Sequence, residues 1–555
     1  MEQSAYRIDS LVQEAILAAQ EAGELPSFDL PDVLVERPQR AEHGDYATSV
    51  AMRLAGVVRM PPLRIAEVIV SHIPEVQFLS RVEAVAPGFV NFTLDERWLV
   101  GQVDEILAAG ETLGDVRLGQ GQKVQVEYVS ANPTGPLHVG SGRNAVIGDS
   151  LANVLEAVGY QVQREYYVND LGTQMEVFAE TLYARYAQAL GRDVPISTNG
   201  YHGSYLVEMG AEIARREGDR FLKMPHQEAV AALRDTGVEK ILASIEDDLA
   251  MMGITYDRWF SERTLYENGL FAKVLEILRQ QGYIAEHDGA VWFTSSDLGD
   301  DKDNVLIRSD GEPGYLASDI AYHYDKFKKR SFERVIDVWG ADHQGHVPRM
   351  KAAMRAIGVD PDSLVIILYQ LVTLRRGGEV VRLSKRTGDI ITLKDVLEEI
   401  GPDAVRFFLL ARAADSQMDL DLDLAKEQSS ENPVYYVQYA HARIASILRY
   451  AQDIDFRDGD VSLLGHEAEV ALIRQMLRFP EVVEMAATSL SPHYLTYYAQ
   501  DLAGAFHPFY KQCRVVSSVP DDMPLNKARL KLVAAAKIVL ARVLRLMGVS
   551  TPEAM

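Results

Sequence analysis

The run Pro136-Leu137-His138-Val139-Gly140-Ser141-Gly142-Arg143 sets two glycines and a small hydroxyl beside a histidine, just after Asn132-Pro133-Thr134-Gly135. A loop of this kind between a strand and a helix can bind phosphate. Its backbone N–H groups and the helix dipole face the anion, and the glycines let a nucleotide approach. Gly140-Ser141-Gly142-Arg143-Asn144-Ala145 also fits the G-x-G-x-x-A dinucleotide fingerprint, with Glu165 near the position where a dehydrogenase keeps its ribose-binding acid. No G-x-x-x-x-G-K-[ST] sequence is present, so P-loop phosphoryl transfer is excluded. Later, after the turn-like Arg376-Gly377-Gly378-Glu379, the segment Val381-Arg382-Leu383-Ser384-Lys385-Arg386-Thr387-Gly388-Asp389 interleaves cations with small residues. Such a loop is either a basic surface turn or one that closes on a polyphosphate. His343 and His346 at i, i+3 have the spacing of metal ligands. Asp419, Asp421 and Asp423 alternate with leucines, but no glycine follows at the calcium-loop position, so they read as extended linker and not as an EF-hand.

The elements that must position these residues follow from periodicity. Val124, Val126 and Tyr128 alternate with polar residues as in a strand, residues 132–136 force a loop, and a helix from about Arg143 carries Ala145, Ile147, Leu151, Val154, Leu155 and Val158 on one side. Strand, glycine-rich loop and helix open a nucleotide-binding α/β unit. Residues 181–261 are polar, rich in Glu and Arg, and read as a helical insertion. Strand-like runs at 291–294, 335–339 and 364–371 continue the α/β core beyond it. Before the unit, Ile8, Leu11, Val12, Ala15 and Ile16 recur at helical spacing, and the segment up to the Gly/Asp-rich break at 110–121 reads as a small α+β domain. After Leu424 the pattern is helical to the end, as in Leu530, Val533, Ile538, Val539, Leu540, Val543 and Leu544.

Composition narrows the function classes. The 555 residues suggest three or four domains, at roughly 150 residues each. A single cysteine, Cys513, excludes a disulfide framework and any cysteine-rich metal site, and suits a reducing compartment. No apolar run reaches the roughly 18 residues that span a bilayer, and the N-terminus lacks a signal-like apolar stretch, so a cytoplasmic protein with no membrane partner is expected. Against 56 Lys+Arg stand 80 Asp+Glu, a net charge of −24, which argues against a surface that binds nucleic acid throughout. Locally the balance reverses: Lys511, Arg514, Lys527, Arg529, Lys531, Lys537, Arg542 and Arg545 face only Asp521 and Asp522 over that stretch. Charge alone leaves a solvated helix face and a nucleic-acid stripe both open.

Taken together, His138-Val139-Gly140-Ser141 and Arg382-Leu383-Ser384-Lys385 resemble the two signature motifs of class I aminoacyl-tRNA synthetases, His-Ile-Gly-His and Lys-Met-Ser-Lys-Ser. Four longer stretches narrow the resemblance to arginyl-tRNA synthetases of bacterial type. They run from Glu127 to Pro136, from Tyr167 to Gln174 (Tyr-Val-Asn-Asp-Leu-Gly-Thr-Gln), from Trp339 to Arg349 (Trp-Gly-Ala-Asp-His-Gln-Gly-His-Val-Pro-Arg), and from Asn432 to Arg443. The pattern is followed in order from about His43 to the C-terminus. It is departed from at Ser141, where the family has its second histidine, and at Arg382, where it has a lysine.

The resemblance implies a multidomain α/β protein: an N-terminal domain (1–115) that touches the tRNA elbow, a Rossmann catalytic domain (116–430), and an all-helical anticodon-binding domain (431–555). It implies a ligase that activates L-arginine with ATP, carried in with Mg²⁺ as substrate, and passes it to the 3′-terminal adenosine of tRNA(Arg). It further implies His138, Ser141 and Lys385 as catalytic residues, with Gly140, Gly142, Asp342, His343, Arg382 and Ser384 around ATP and no resident metal. Glu127, Ser130, Asn132, Tyr315 and Asp319 would hold arginine, the last two one helical turn apart. In the last domain, Lys527, Arg529 and Lys531 would meet tRNA phosphates, and tyrosines among Tyr435, Tyr436, Tyr439, Tyr497 and Tyr498 would stack on bases. A monomer is expected. The alternative, raised by Ser141, is a tRNA-binding paralogue without catalysis.

Overall fold

The computed structural model describes residues 4–381 and 391–555. At the N-terminus, helices Ser4–Glu21, Val50–Val58 and Pro62–His72 pack on a four-stranded antiparallel sheet, ordered Val35–Glu36, Tyr46–Thr48, Phe89–Leu94, Leu79–Val85. The apolar stripe through Ile8, Val12 and Ile16 is fully buried there, as its spacing requires.

The central sheet has five parallel strands: β1 (Lys123–Glu127), β2 (Gln161–Val168), β3 (Arg258–Ser261), β4 (Arg334–Gly340) and β5 (Leu364–Tyr369), in the order β5-β4-β1-β2-β3. After β1 the chain goes to one side for β2 and β3 and later returns to the other for β4 and β5. The C-terminal ends of β1 and β4 therefore flank a topological switch point, where a doubly wound sheet leaves a crevice. Between β1 and β2 runs helix α1 (Val139–Ala157), buried along nearly its whole length. It begins at Val139, four residues before the periodicity suggests, because His138 caps it.

The helical insertion comprises Thr173–Ala189, Ser204–Glu217 and His226–Met251. It starts earlier and ends earlier than the expected 181–261, and Arg258–Ser261 is instead the edge strand β3. That strand has only four residues, too few to show an alternation. The run at 291–294 is also corrected: Ala290–Phe293 is the middle strand of a separate three-stranded antiparallel sheet with Ile284–His287 and Asn304–Ile307. Helix α2 (Tyr315–Tyr324) follows and continues into a π-helical turn, Asp325–Lys329.

Beyond β5, Val372–Arg376 pairs with Glu379–Val380 on one side and in parallel with Met418–Asp421 on the other. The Asp-Leu alternation is thus a strand followed by the short helix Leu422–Lys426, whose Asp421 cap accepts from the Asp423 and Leu424 amides, and not an extended linker. Helices Pro433–Tyr450, Glu467–Leu477, Phe479–Thr488, Tyr494–Gln512 and α3 (Met523–Leu546) complete the chain. One apolar core runs from the N-terminal sheet through α1 into these helices, and a second lies around Ile320, Tyr322 and Met350 beside α2. Arg406 joins three parts at one buried point, bonding to Asp149 of α1, to Met252 O at 2.9 Å and to Met547 O at 2.7 Å. Among the described residues no helix is long and apolar enough to cross a membrane.

Candidate active site

His138 is the N-cap of α1, a position that ordinarily goes to a short polar side chain accepting from the first free amides. Its Nδ1 accepts from Gly140 N at 3.1 Å and from Ser141 N at 3.4 Å. An accepting Nδ1 leaves the proton of the neutral ring on Nε2, so the imidazole presents a donor away from the helix. Burial disfavours the imidazolium and lowers the pKa of His138, which favours that neutral form. The Gly140 and Ser141 amides are thus engaged by His138, and its ring presents a further donor at the start of α1.

The glycines have a different task as well. A Cβ on Gly140 would lie 2.9 Å from the His138 ring, and one on Gly142 would lie 2.6 Å from Leu393 Cδ1. Gly140 makes room for the imidazole and Gly142 for a close helix contact. Ser141 is 7% exposed. Leu137 O accepts from Leu393 N at 2.7 Å, and His138 bridges to Thr392, so Thr392 and Leu393 lie directly against the turn that carries the histidine. Arg382, Ser384 and Lys385 lie outside the described residues. Arg143, wholly buried, donates to Gln370 O at 2.7 Å and Ala413 O at 2.8 Å, which fixes α1 to the segments after β5 and before Met418–Asp421.

At the end of β1, Val129 (φ 67°) and Ser130 (φ 41°) both adopt left-handed backbone, a costly conformation for side chains with a Cβ. Asn144 holds the bend, accepting from Val129 N at 2.7 Å and donating to Val338 O of β4 at 2.9 Å. The bend turns Ser130 back, so that its Oγ donates to Glu127 Oε1 at 3.0 Å and accepts from Tyr167 N at 3.0 Å. Asn132, exposed further along the loop, donates to Gln174 Oε1 at 2.7 Å.

Helix α2 brings Asp319 toward this crevice, with Tyr315 one turn earlier and 55% exposed. Asp319 forms no ion pair among the described residues. Desolvation pushes its pKa up to about 6, with Glu127 and Asp337 adding repulsion and His323 and Lys326 opposing it. Beside it stands an acid that the sequence reading missed. Glu262, at the end of β3, is buried, also has no cation partner among the described residues, and is pushed up to about 7 by desolvation, with Asp319 and Asp170 adding repulsion. Two carboxyls held above their ordinary range chiefly by desolvation, that of Glu262 also by the charge of Asp319, make a site that a cation would complete. The only sequence signal for Glu262 was an acid directly after a strand too short to recognise.

Asp342, His343 and His346 occupy the 3₁₀ turn Ala341–His346 that leaves β4, with His343 Nε2 3.6 Å from Asp342 Oδ2 and the two imidazole rings 5.4 Å apart. This turn borders the crevice on the side of β5. Among the described residues no group of three potential metal ligands gathers.

The charged stripe near the C-terminus is arranged differently. Lys527 pairs with Asp458 at 2.7 Å, Arg529 with the buried Glu469 at 2.6 Å, and Lys531 with Asp104 at 2.8 Å. These three cations close the fold and do not stand free toward solvent. Of the tyrosines, Tyr498 is core, its hydroxyl donating to Gln475 O at 3.0 Å, and Tyr436 packs on His507. Tyr439 instead lines an open cavity of about 910 Å³ with Arg443, Tyr450, Tyr510, Lys511 and Arg514. Arg443 lies between the rings of Tyr439 and Tyr510, 4.6 Å from each centroid. Arg443, Lys511 and Arg514 form no ion pair among the described residues.

Three family models match in chain order: the arginyl tRNA synthetase N terminal domain over residues 7–94, the class I (R) tRNA synthetase catalytic domain over 102–415, and the DALR anticodon binding domain over 437–555. The arginine–tRNA ligase of Dehalococcoides mccartyi is 52% identical over 550 residues, 99% of this chain and 98% of that protein. That of Heliobacterium modesticaldum is 48% identical over 558 residues, with 99% and 98% covered. The fold matches the solved arginyl-tRNA synthetase of Thermus thermophilus with a TM-score of 0.79 over all of both chains, at 23% identity. With its domains in that order and its relatives matched end to end, the chain belongs to the arginyl-tRNA synthetase family.

Proposed function

We infer that the protein is an ATP-dependent arginine–tRNA ligase, and the observation that carries the residue assignments is the pair of acids without a cation partner among the described residues, Asp319 on α2 and Glu262 after the edge strand β3. A guanidinium is planar, always charged and needs carboxylate partners. Seated between these acids it would let both ionise, and its backbone would lie toward Glu127, Ser130 and Asn132 at the end of β1. The arginine carboxylate would then attack the ATP α-phosphorus in line, breaking the bond to pyrophosphate. His138 would donate from Nε2 to a phosphate oxygen, and Lys385 from the late loop would bind charge on the departing pyrophosphate. Positioning and charge stabilisation suffice, since no covalent protein intermediate is needed.

ATP enters as its magnesium complex, with Asp342 and His343 beside it. The cavity around Arg443 supports a tRNA role for the C-terminal helices, because unpaired bases stack on aromatic faces and free cations meet the backbone. We place the enzyme in the cytoplasm as a monomer, which sedimentation would check. Incubation with ATP, arginine and tRNA should yield arginylated tRNA. Binding of tRNA without adenylate or product would favour the non-catalytic paralogue.

A further inference from the structure

Behind the arginine pocket lies Lys326, which has no exposed surface. It stands in the π-helical turn after α2, where Arg330 N reaches back to Asp325 O at 2.9 Å, and such turns are rare and concentrate at functional sites. A buried ammonium is costly unless carboxylates surround it. Nζ of Lys326 donates to Glu127 Oε2 at 2.5 Å and to Asp337 Oδ1 at 3.0 Å, and lies 4.2 Å from the centre of the Tyr322 ring. The second oxygen of Asp337 accepts from His323 Nε2 at 2.9 Å, while His323 Nδ1 donates to the main-chain oxygen of Asp319 at 2.8 Å. On the β2 side, Glu165 bonds to Arg330 and accepts from Tyr322 Oη at 2.5 Å, so it makes no hydrogen bond to the ammonium, although its charge also favours it.

Glu127 at the end of β1 and Asp319 on α2 are thus joined through the buried Lys326, Asp337 and His323. We propose that Lys326 is a positioning residue for arginine: its ammonium fixes the Glu127 carboxylate at the end of β1 and ties it, through Asp337 and His323, to the helix that carries Asp319. The proposal rests on the reading that Glu127 and Asp319 face arginine. Without Lys326, Glu127 and Asp337 would share a dry space with only His323 between them. Burial, which already pushes Glu127 upward against the pull of Lys326, would then be opposed only by the weaker pull of His323, with Asp337 adding to the upward push, and a protonated Glu127 offers arginine no charge.

The test is the arginine dissociation constant of the full chain by calorimetry, from about pH 6.5 to 8.5, for wild type, Lys326→Met, Lys326→Arg and Glu127→Gln. Lys326→Met should bind arginine about 100-fold more weakly near pH 6.5, and the deficit relative to wild type should shrink to about tenfold near pH 8.5 as Glu127 regains its charge. Lys326→Arg keeps the charge but moves it, and should bind about tenfold more weakly with the wild-type pH profile. A Lys326→Met deficit that is constant with pH would overturn the proposal, since a packing defect has no reason to titrate. If Lys326→Met does not fold, wild-type affinity in Lys326→Arg would overturn it equally. Glu127→Gln separates the two levels: normal affinity there means that Glu127 does not face arginine at all, whereas weakened affinity together with a pH-constant Lys326→Met deficit rejects only the role of Lys326.

Discussion

Two charged regions of this chain look alike in sequence and differ in structure. On α3 and its surroundings, six cations each have a carboxylate: Lys527, Arg529, Lys531, Lys537, Arg542 and Arg545 pair with Asp458, Glu469, Asp104, Glu553, Asp115 and Glu111. On α2 and after β3, Asp319 and Glu262 are close enough for the charge of Asp319 to act on Glu262, and neither forms an ion pair among the described residues. In the first arrangement three of the pairs tie the C-terminal helix to residues 104–115 and three lie within the C-terminal part, and together they leave no net charge for a ligand. The second stores repulsion that a cationic ligand relieves. Density of charge along a sequence therefore does not mark a site; charge that the fold leaves uncompensated does.

The comparison breaks most sharply if the acid pocket is indifferent to its acids. Asp319→Ala should cost arginine binding about 3 kcal/mol, the low end for a buried pair because Asp319 is only half-buried. Arginine affinity by calorimetry checks this, and an unchanged value would remove Asp319 from the site. The converse substitution lies on α3. Arg529→Ala leaves Glu469 buried without its cation, so it should lower unfolding stability by about 3 kcal/mol in denaturant while the salt dependence of tRNA binding stays put. A changed salt slope with unchanged stability would return the stripe to the nucleic-acid reading.

A smaller contrast lies within the His138 turn. His138→Ala removes both the ring donor and the α1 cap, and should slow adenylate formation by about 10². Ser141→Ala removes one hydroxyl from a buried position and should slow it by about tenfold or less. Pre-steady-state adenylation in the presence of tRNA measures both, and equal losses would make Ser141 a full catalytic partner. The smallest effect concerns the cavity of the last helices. Replacing Arg443, Lys511 and Arg514 singly by Ala should flatten the dependence of tRNA affinity on salt by about 0.7 log units for each phosphate that is no longer neutralised. A slope that none of the three alters would leave that cavity without a tRNA role.

Much of this molecule was legible before its structure. The stripe of α1, the strands β1, β4 and β5 and the helical end all followed from periodicity, because each is long enough to show its spacing. What was hidden depends on the packing of distant segments. The edge strand β3 has four residues, and its neighbour Glu262 gains meaning only when it lies against Asp319. The glycines at 140 and 142 were rightly marked as special, but for an approach of nucleotide and not of the His138 ring and Leu393. Lys527, Arg529 and Lys531 looked free because their partners are 60 or more residues away in the chain, up to 427 for Lys531.

The most direct measurement of the central claim is the proton balance of arginine binding. Glu262 at about 7 and Asp319 at about 6 are partly protonated near pH 6.5 in the free protein, and a guanidinium between them stabilises the ionised forms. Binding must therefore expel protons in that range, and arginine affinity must rise with pH through the window from 6 to 7. Calorimetric titrations near pH 6.5, in two buffers of different ionisation enthalpy, should give a release of about one proton, vanishing near pH 8.5 and diminished in Asp319→Asn. Arginine binding with no proton release near pH 6.5 would contradict the account, because the acids would then be already ionised or out of the ligand's reach.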